Sequence, residues 1–216
     1  WIKNGRQGAF EVNNFTSPAF VARVNYHGVK GLRVGASFYY NQTAKNGTKP
    51  WRNTGYKFPV TIVTGDLQYK GFNNNLIVRG NAVYGNLGAS GALTTINNSS
   101  SAASGYPNTT VAQNAVSYGG EAGYNIGSFF HSKAPRIYPF IRYEYYNPME
   151  KTEANTGLLA DKRFQVSAVT AGLNYYALPN LVIKADYTHR SIGGGKYNDE
   201  NLVSVGIAYI GWFIKK

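Results

Sequence analysis

Cysteine is absent from this chain of 216 residues, and acidic residues are scarce, at 10 Asp and Glu against 22 Lys and Arg. Without cysteine the chain has no disulfide, no thiolate metal ligand and no thiol nucleophile. No apolar run in it approaches the ~18 uninterrupted residues that a membrane-spanning helix requires. Charged residues make up only 15% of the chain, whereas hydrophobic residues make up 43% and aromatic residues 15%, which excludes an intrinsically disordered protein.

The residues that are abundant favour an all-β fold. Glycine occurs 25 times and tyrosine 18 times, while Leu and Glu are scarce. The length suits one domain or one piece of a larger one. The net charge of +12 has three interpretations, which are a nucleic-acid surface, attraction to anionic lipid headgroups and a pore that attracts anions.

Apolar and polar residues alternate with a period of two along most of the chain, as they do in strands with one apolar face. In residues 32–42, Leu32, Val34 and Phe38 share one face, and Arg33 and Ser37 share the other. Each alternating segment has about 10 residues, the length that a tilted strand needs to cross a bilayer. The nine predicted strands are residues 15–26, 32–42, 60–70, 76–87, 117–126, 137–147, 164–176, 181–191 and 201–213.

The predicted connections alternate between short and long. Short turns at one end and long loops at the other are typical of antiparallel outer-membrane β-barrels. Tyr and Phe cluster at strand ends, as at Tyr39 and Tyr40, where the interfacial girdles of such barrels need amphipathic rings. The short connections are residues 27–31, 71–75, 127–136 and 177–180, and the long loops are residues 43–59, 88–116, 148–163 and 192–200.

These patterns predict a transmembrane β-barrel of the outer-membrane porin type, with residues 1–14 at the extracellular loop end and the strands in residues 15–216. Both termini of bacterial barrels normally lie on the periplasmic side, which gives even strand numbers. The first of nine strands then runs from outside inward, so at least one strand precedes it. We expect the C-terminal part of a larger barrel; the alternative counts residues 8–12 as an extra strand of a complete barrel of about ten.

Two soluble interpretations compete with the membrane barrel. A β-sandwich or lipocalin-like barrel also alternates, with its apolar residues inward. The polar positions here carry Arg, Asn, Thr and Gly rather than the Lys and Glu mixture of a solvated surface. A nucleic-acid surface is disfavoured because the Lys and Arg residues are spread singly over alternate strand positions, with no basic arm or helix.

Three segments resemble known porins. Residues 172–187, which read Gly-Leu-Asn-Tyr-Tyr-Ala-Leu-Pro-Asn-Leu-Val-Ile-Lys-Ala-Asp-Tyr, resemble the penultimate hairpin of the phosphate-selective porin O/P family. Residues 18–40 are similar to related Gram-negative porins in their Arg-x-Asn-Tyr, Gly-Leu-Arg and Gly-Ala-Ser-Phe-Tyr pieces. The last strand resembles the terminal strand of outer-membrane proteins down to Tyr209 and Phe213, but the chain continues through residues 214–216. The resemblance implies a trimeric or monomeric diffusion pore with a basic lumen and does not identify the solute.

The strand assignments place basic side chains in the lumen, which is the interior of the barrel. Bases that line an aqueous pore raise the local anion concentration, and the guanidinium fork binds two oxygens of an oxyanion. The alternative is a set of ion pairs that stiffen the wall, such as Arg142 with Glu144 and Lys184 with Asp186. The predicted anion pathway consists of Arg23, Arg33, Lys70, Arg79, Arg142, Lys184 and Arg190, and the predicted inward acids are Asp66, Glu121, Glu144 and Asp186.

Two long loops have contrasting compositions. The loop at residues 43–59 adds Lys45, Lys49, Arg52 and Lys57 without an acid. The loop at residues 88–116 carries no charge and is rich in Ser, Asn, Ala and Gly. It either folds into the lumen as a constriction or stays a disordered external loop, and its composition favours disorder.

An enzyme is not expected. The carboxylate nearest to His189 in the sequence belongs to Asp186, three residues away and therefore on the opposite face of the strand, so no local Ser-His-acid set is predicted. No two of the three histidines share a strand face, so no metal pair is predicted. No catalytic residue, cofactor or metal is expected.

The expected function is passive diffusion of small anionic or polar solutes through a net-basic lumen in the cell outer membrane. The expected partners are outer-membrane lipid and lipopolysaccharide, and no nucleic acid. The assembly state stays open between a monomer, a homotrimer and a subunit of a larger membrane complex. The alternative function is a structural or assembly β-barrel subunit with a plugged lumen.

Overall fold

The computed structural model describes residues 18–42, 57–99, 110–130, 135–154 and 156–209. These residues form nine strands, one helix and two short 3-10 turns, which are Ile126–Phe129 and Lys162–Phe164. The helix lies between the fourth and fifth strands. The elements are β1 Phe20–Tyr26, β2 Leu32–Gln42, β3 Pro59–Gly71, β4 Leu76–Leu87, α1 Ser90–Ser99, β5 Asn114–Tyr124, β6 Arg136–Lys151, β7 Val166–Leu178, β8 Leu181–Ile192 and β9 Asp199–Tyr209.

The strands form a single sheet in the order of the sequence, and every neighbouring pair is antiparallel. The prediction of an all-β fold with about nine antiparallel strands is confirmed. Within the described residues, β1 and β9 are the two edges of the sheet, and each pairs with one neighbour.

The strand boundaries follow the predicted ones closely. β2 and β4 coincide with the predicted segments 32–42 and 76–87. β6 continues beyond residue 147 to Lys151, because Lys151 pairs with Asn114 of β5 across a register shift. The predicted strand residues 15–17 and 210–213 lie outside the described residues, as do residues 1–14 and the loop residues 43–56.

Successive side chains of a strand point to opposite sides, so the sheet has two faces. We call them the apolar face and the charged face. The apolar face is largely exposed, and Val24 and Val205 reach 72% and 76% exposure. The predicted alternation is confirmed by the registers, which align the apolar residues across all nine strands. Exposed residues of the apolar face include Val24, Val63, Ile141, Val169, Val203 and Val205.

Helix α1 packs on the charged-face side of β3 and β4, at the end that carries the long loops. Phe58, Val60 and Leu87 form a buried cluster there, against which Leu93 and Ile96 of the helix pack. For Ser90–Ser99 the expectation of disorder is wrong, because the apolar side chains of this helix find a partner surface on the sheet. Residues 100–109 lie outside the described residues.

Two hydrogen bonds attach α1 to its surroundings, and a third lies within the helix. Thr94 Oγ1 donates to Ser90 O within the helix at 2.9 Å and accepts the Val111 N–H at 2.9 Å. Glu153, from the connection after β6, accepts the N–H of Gly91 in the first turn, where a carboxylate is favoured by the helix dipole. No helix in the described part of the chain is long and apolar enough to span a membrane.

The connection between β6 and β7 is ordered by a local ion pair. Asp161 accepts the Arg163 N–H at 2.9 Å and the Arg163 guanidinium at 2.6 Å. The hydrogen bonds from Arg163 hold the pKa of the Asp161 carboxyl below its ordinary value. Asp161 therefore stays ionised, and keeps capping the turn before β7, in mildly acidic solution.

Replacing Leu87 by Ala should lower the free energy of unfolding by about 2–5 kcal/mol, because Leu87 is only 2% exposed and its loss leaves a cavity under α1. The matched control is Leu159→Ala, at a side chain that is 84% exposed, where we expect a change within about 0.5 kcal/mol. Urea titrations of both variants measure this difference. Equal effects at the two leucines would contradict the packing of α1 on the sheet.

A candidate functional site on the charged face

All seven bases of the predicted anion pathway lie on the charged face. Three of them, Arg33, Arg79 and Arg142, lie in one row of residues that the registers align across five strands, and the adjacent row carries two acids. One row joins Arg33, Gln68, Arg79, Glu121 and Arg142, and the next joins Gly35, Asp66, Asn81, Gly119 and Glu144. The seven are Arg23 of β1, Arg33 of β2, Lys70 of β3, Arg79 of β4, Arg142 of β6, and Lys184 and Arg190 of β8.

Asp66 on β3 binds two arginines from two different strands. Arg23 Nη2 of β1 lies 2.7 Å from Asp66 Oδ2, and Arg33 Nη2 of β2 lies 3.6 Å from Asp66 Oδ1. The Arg23 side chain reaches β3 by passing over Gly35 of β2, where a Cβ would overlap its guanidinium. A glycine at this position therefore permits an ion pair that spans three strands.

Glu121 on β5 forms the second centre of the charged face. Arg142 donates to Glu121 Oε2 through both Nε and Nη2, at 2.9 and 2.7 Å, and Arg79 Nη1 lies 3.3 Å from Glu121 Oε1. The Glu121 side chain is only 19% exposed. Glu144 lies at the margin, 3.9 Å from Arg142 and 52% exposed. Of the two pairs expected on one strand, Arg142 with Glu144 is found at this distance, and Lys184 with Asp186 is not among the ion pairs of the described residues.

In the described part of the chain, this face bears a larger and a smaller hollow. The larger, of about 410 Å³, is bounded by five adjacent strands from β2 to β6, so the charged face is concave there. Its rim includes Arg33, Arg79 and Arg142, together with Asp66, Glu121 and Glu144. The smaller, of about 300 Å³, lies at the short-turn end and is lined by His27, Val29, Lys30, Gly31, Leu32, Arg33, Gln68 and Lys70, with no acid among them.

The structure adds one acid and one base to the charged residues predicted for this face. Arg190 is paired with Glu200 at 2.7 Å, but the predicted loop at residues 192–200 had placed Glu200 outside the barrel wall. β9 begins at Asp199, and Glu200 lies opposite Arg190. Glu200 thus joins the four predicted acids Asp66, Glu121, Glu144 and Asp186, and Arg136, at the start of β6 and on the same side as Arg142, joins the seven predicted bases. Lys70 and Lys184 make no ion pair within the described residues.

Comparisons with known proteins do not assign this site. No family model matches the chain, and no curated protein matches it. The resemblance of residues 172–187 to the phosphate-selective porin O/P family therefore stays a prediction. In the structure these residues run through β7, a tight turn and β8, which agrees with a hairpin.

Removing the charge of Glu121 should destabilise the sheet, since it leaves two guanidinium groups without their shared carboxylate. We expect Glu121→Gln to lower the free energy of unfolding by about 1–3 kcal/mol, as for hydrogen bonds to charged groups. The control is Glu144→Gln, at an exposed and more distant carboxylate, for which we expect less than about 0.5 kcal/mol. Urea titration at low and high salt measures both. A Glu121 effect no larger than that of Glu144 would mean that the central pairs do not hold the strands together.

Proposed function

We propose that these strands belong to a β-barrel channel of the outer membrane of a Gram-negative cell, through which small anionic or polar solutes diffuse passively. The observation that carries the proposal is one antiparallel sheet with an exposed apolar face and a concave charged face. The charged face would line an aqueous lumen, and the apolar face would contact lipid.

The exposure of the apolar face supports a lipid environment. Val203, Val205 and Ile207 of β9 are 74%, 76% and 72% exposed, and comparable residues line the neighbouring strands. Water-soluble proteins rarely expose a contiguous apolar patch of more than a few hundred Å². A soluble lipocalin-like barrel turns its apolar side chains inward, whereas the concave side of this sheet carries arginines and carboxylates.

The directions of the edge strands support a larger barrel. β1 and β9 run in the same direction, because they are separated by eight successive antiparallel pairings. Pairing them directly would need a parallel ladder, and an open edge in hydrocarbon would leave backbone groups without hydrogen bonds. We propose that an odd number of further strands joins the two edges into an even-stranded antiparallel barrel.

A weak preference for anions follows from the distribution of charge. In the middle of the charged face, Asp66 and Glu121 neutralise four arginines in part and make the wall stiff. Toward the short-turn end, Lys30 and Lys70 line a hollow that has no acid in its lining, and neither lysine makes an ion pair within the described residues. Bases at one mouth of a pore raise the anion concentration there and lower the barrier to anion entry.

The second candidate function is a structural or assembly subunit with a plugged lumen. The position of α1 favours it, because the helix and Phe58 occupy the charged-face side of β3 and β4 at the long-loop end. In a complete barrel this segment narrows the opening. Whether ions pass it separates the two candidates.

Ion selectivity tests the channel. In planar bilayers with a salt gradient, the protein should give a reversal potential of anion sign that weakens at high salt, since the Debye length is ~10 Å at 0.1 M. The double variant Lys30→Gln with Lys70→Gln should lower the anion-over-cation permeability ratio by about twofold. Arg79→Gln with Glu121→Gln is the control, because it removes a pair without changing the net charge and should leave the ratio unchanged. A reversal potential of cation sign in the unmutated protein would refute anion preference, and no conductance would favour the plugged subunit.

The orientation of the two faces can be tested at neighbouring residues of β9. Arg in place of Val205 should cost about 2–4 kcal/mol of folding free energy in lipid if the site is near the bilayer midplane. Arg in place of Ser204 should cost less than about 1 kcal/mol, because Ser204 is on the charged face and opposite Asp186. Folding titrations in lipid vesicles measure both costs. Similar costs would show that Val205 does not face hydrocarbon.

A further inference from the structure

Three polar side chains lie one after another within hydrogen-bonding distance on the apolar face, at the long-loop end of β8 and β9. Ser191 Oγ lies 3.3 Å from His189 Nε2, and His189 Nδ1 lies 2.9 Å from Asn201 Oδ1. His189 and Asn201 are direct partners across the ladder, and Ser191 follows His189 on the same face. The alternation within β8 does not reveal this set, because only the register of β8 and β9 brings Asn201 to the histidine.

The contacts of Asn201 fix the state of the imidazole. Asn201 Oδ1 also accepts the Tyr187 hydroxyl at 2.7 Å. An amide oxygen is an acceptor only, so its contact with Nδ1 requires a proton there, and in the neutral imidazole the lone pair of Nε2 then faces Ser191. A serine beside an imidazole nitrogen that is oriented by a third group is the arrangement that activates a nucleophile.

We propose that Ser191, His189 and Asn201 form a serine hydrolase site for long-chain acyl esters on the apolar face of the sheet. Ser191 is the nucleophile, His189 the general base and then the general acid, and Asn201 the positioning residue. This activity is separate from the proposed channel, which uses the opposite face.

The reaction consumes one ester and one water. Ser191 Oγ attacks the ester carbonyl carbon while His189 Nε2 takes its proton. The carbon–oxygen bond to the alcohol then breaks, and His189 returns the proton to the departing alcohol, which leaves an acyl group on Ser191. Water attacks the acyl carbon with His189 again as base, and the products are a carboxylic acid and free Ser191.

The Asp199 carboxylate competes with His189 Nε2 for the hydroxyl proton of Ser191. In the resting arrangement Ser191 Oγ donates to Asp199 Oδ1 at 2.6 Å, and Asp199 is the partner of Ser191 across the ladder. Rotation of the hydroxyl proton toward Nε2 is enough to change partners, because Oγ already lies within 3.3 Å of that nitrogen. Catalytic hydrogen bonds are often this long before substrate binds.

The surroundings of Ser191 select an apolar acyl group. Along the apolar face, Tyr187 pairs with Val203, and Val205 follows on the same side of β9. From Asn201 to Ile207 this exposed strip extends about 20 Å, at about 3.4 Å per residue. His189 and Asn201 are exposed beside it, so an ester at Ser191 can lay its chain along β9. Lipid acyl esters and soluble long-chain esters share this chemistry.

The test uses the full-chain protein purified in detergent, with p-nitrophenyl palmitate, p-nitrophenyl acetate and phosphatidylcholine in mixed micelles as probes. We expect hydrolysis of the palmitate ester to exceed that of the acetate ester, and release of fatty acid from the micelles if lipid is the source of the ester. Ser191→Ala and His189→Gln should each lower the rate by about 100-fold or more, and Asn201→Ala by about 10-fold. Ser204→Ala, on the charged face of β9, should leave the rate unchanged.

Two further measurements separate catalysis from folding. A fluorophosphonate should add its mass to the peptide that contains Ser191, and His189→Gln should slow that labelling while the variant keeps the conductance of the unmutated protein. Asp199→Asn should keep or raise the rate, because it releases the hydroxyl to His189. Three results would each overturn the proposal. The first is hydrolysis that survives Ser191→Ala, and the second is loss of activity in Asp199→Asn while His189→Gln retains it. The third is that the unmutated protein shows neither hydrolysis nor labelling.

Discussion

Unbroken antiparallel pairing from β1 to β9 determines which side of the sheet every strand side chain occupies. A strand that slipped by one residue would exchange its two faces, so its arginines would move among the valines and tyrosines of the apolar face. The ion pairs of Asp66 and Glu121 each join strands that such a slip would separate. The apolar side chains on one face and the ion pairs on the other therefore favour the same register of the strands.

The charged residues of this face have two electrostatic roles, one in the middle of the strands and one near the short turns. In its middle, each of two carboxylates bridges two arginines, and these bridges tie together β1 to β3 and β4 to β6. Near the short turns, lysines lie without a carboxylate in the adjoining hollow. In the channel that we propose, the balanced charges would stiffen the wall and the unpaired lysines would set the solute preference, so the two roles would rest on different residues. The count of bases alone does not distinguish these roles, since Arg79 and Lys70 contribute the same formal charge.

The alternation of apolar and polar residues along the chain was enough to predict most of the fold. It predicted β2 and β4 to the residue and placed all seven bases on one face, because both results depend only on the order of residues within a strand. It did not predict α1, whose apolar residues are stabilised by Phe58 and Leu87 from other segments. It also missed the pairing of Arg190 with Glu200, which needs the register between two strands as well as the alternation within each. The contact of His189 with Asn201 was not predicted for the same reason, because it too depends on the register between β8 and β9.

Strand β8 contributes both to the charged face and to the hydrolase site that we propose on the apolar face. His189 and Ser191 lie on the apolar face, and Arg190 between them lies on the charged face, where it pairs with Glu200 at 2.7 Å. Glu200 precedes Asn201 on β9, so the ion pair and the contact between His189 and Asn201 require the same alignment of the two strands. Arg190 also donates to the Tyr146 hydroxyl of β6 at 3.1 Å, which ties this alignment to the middle of the sheet. A contact on the charged face thereby helps to hold the imidazole in place on the opposite face, although neither side chain touches the other site.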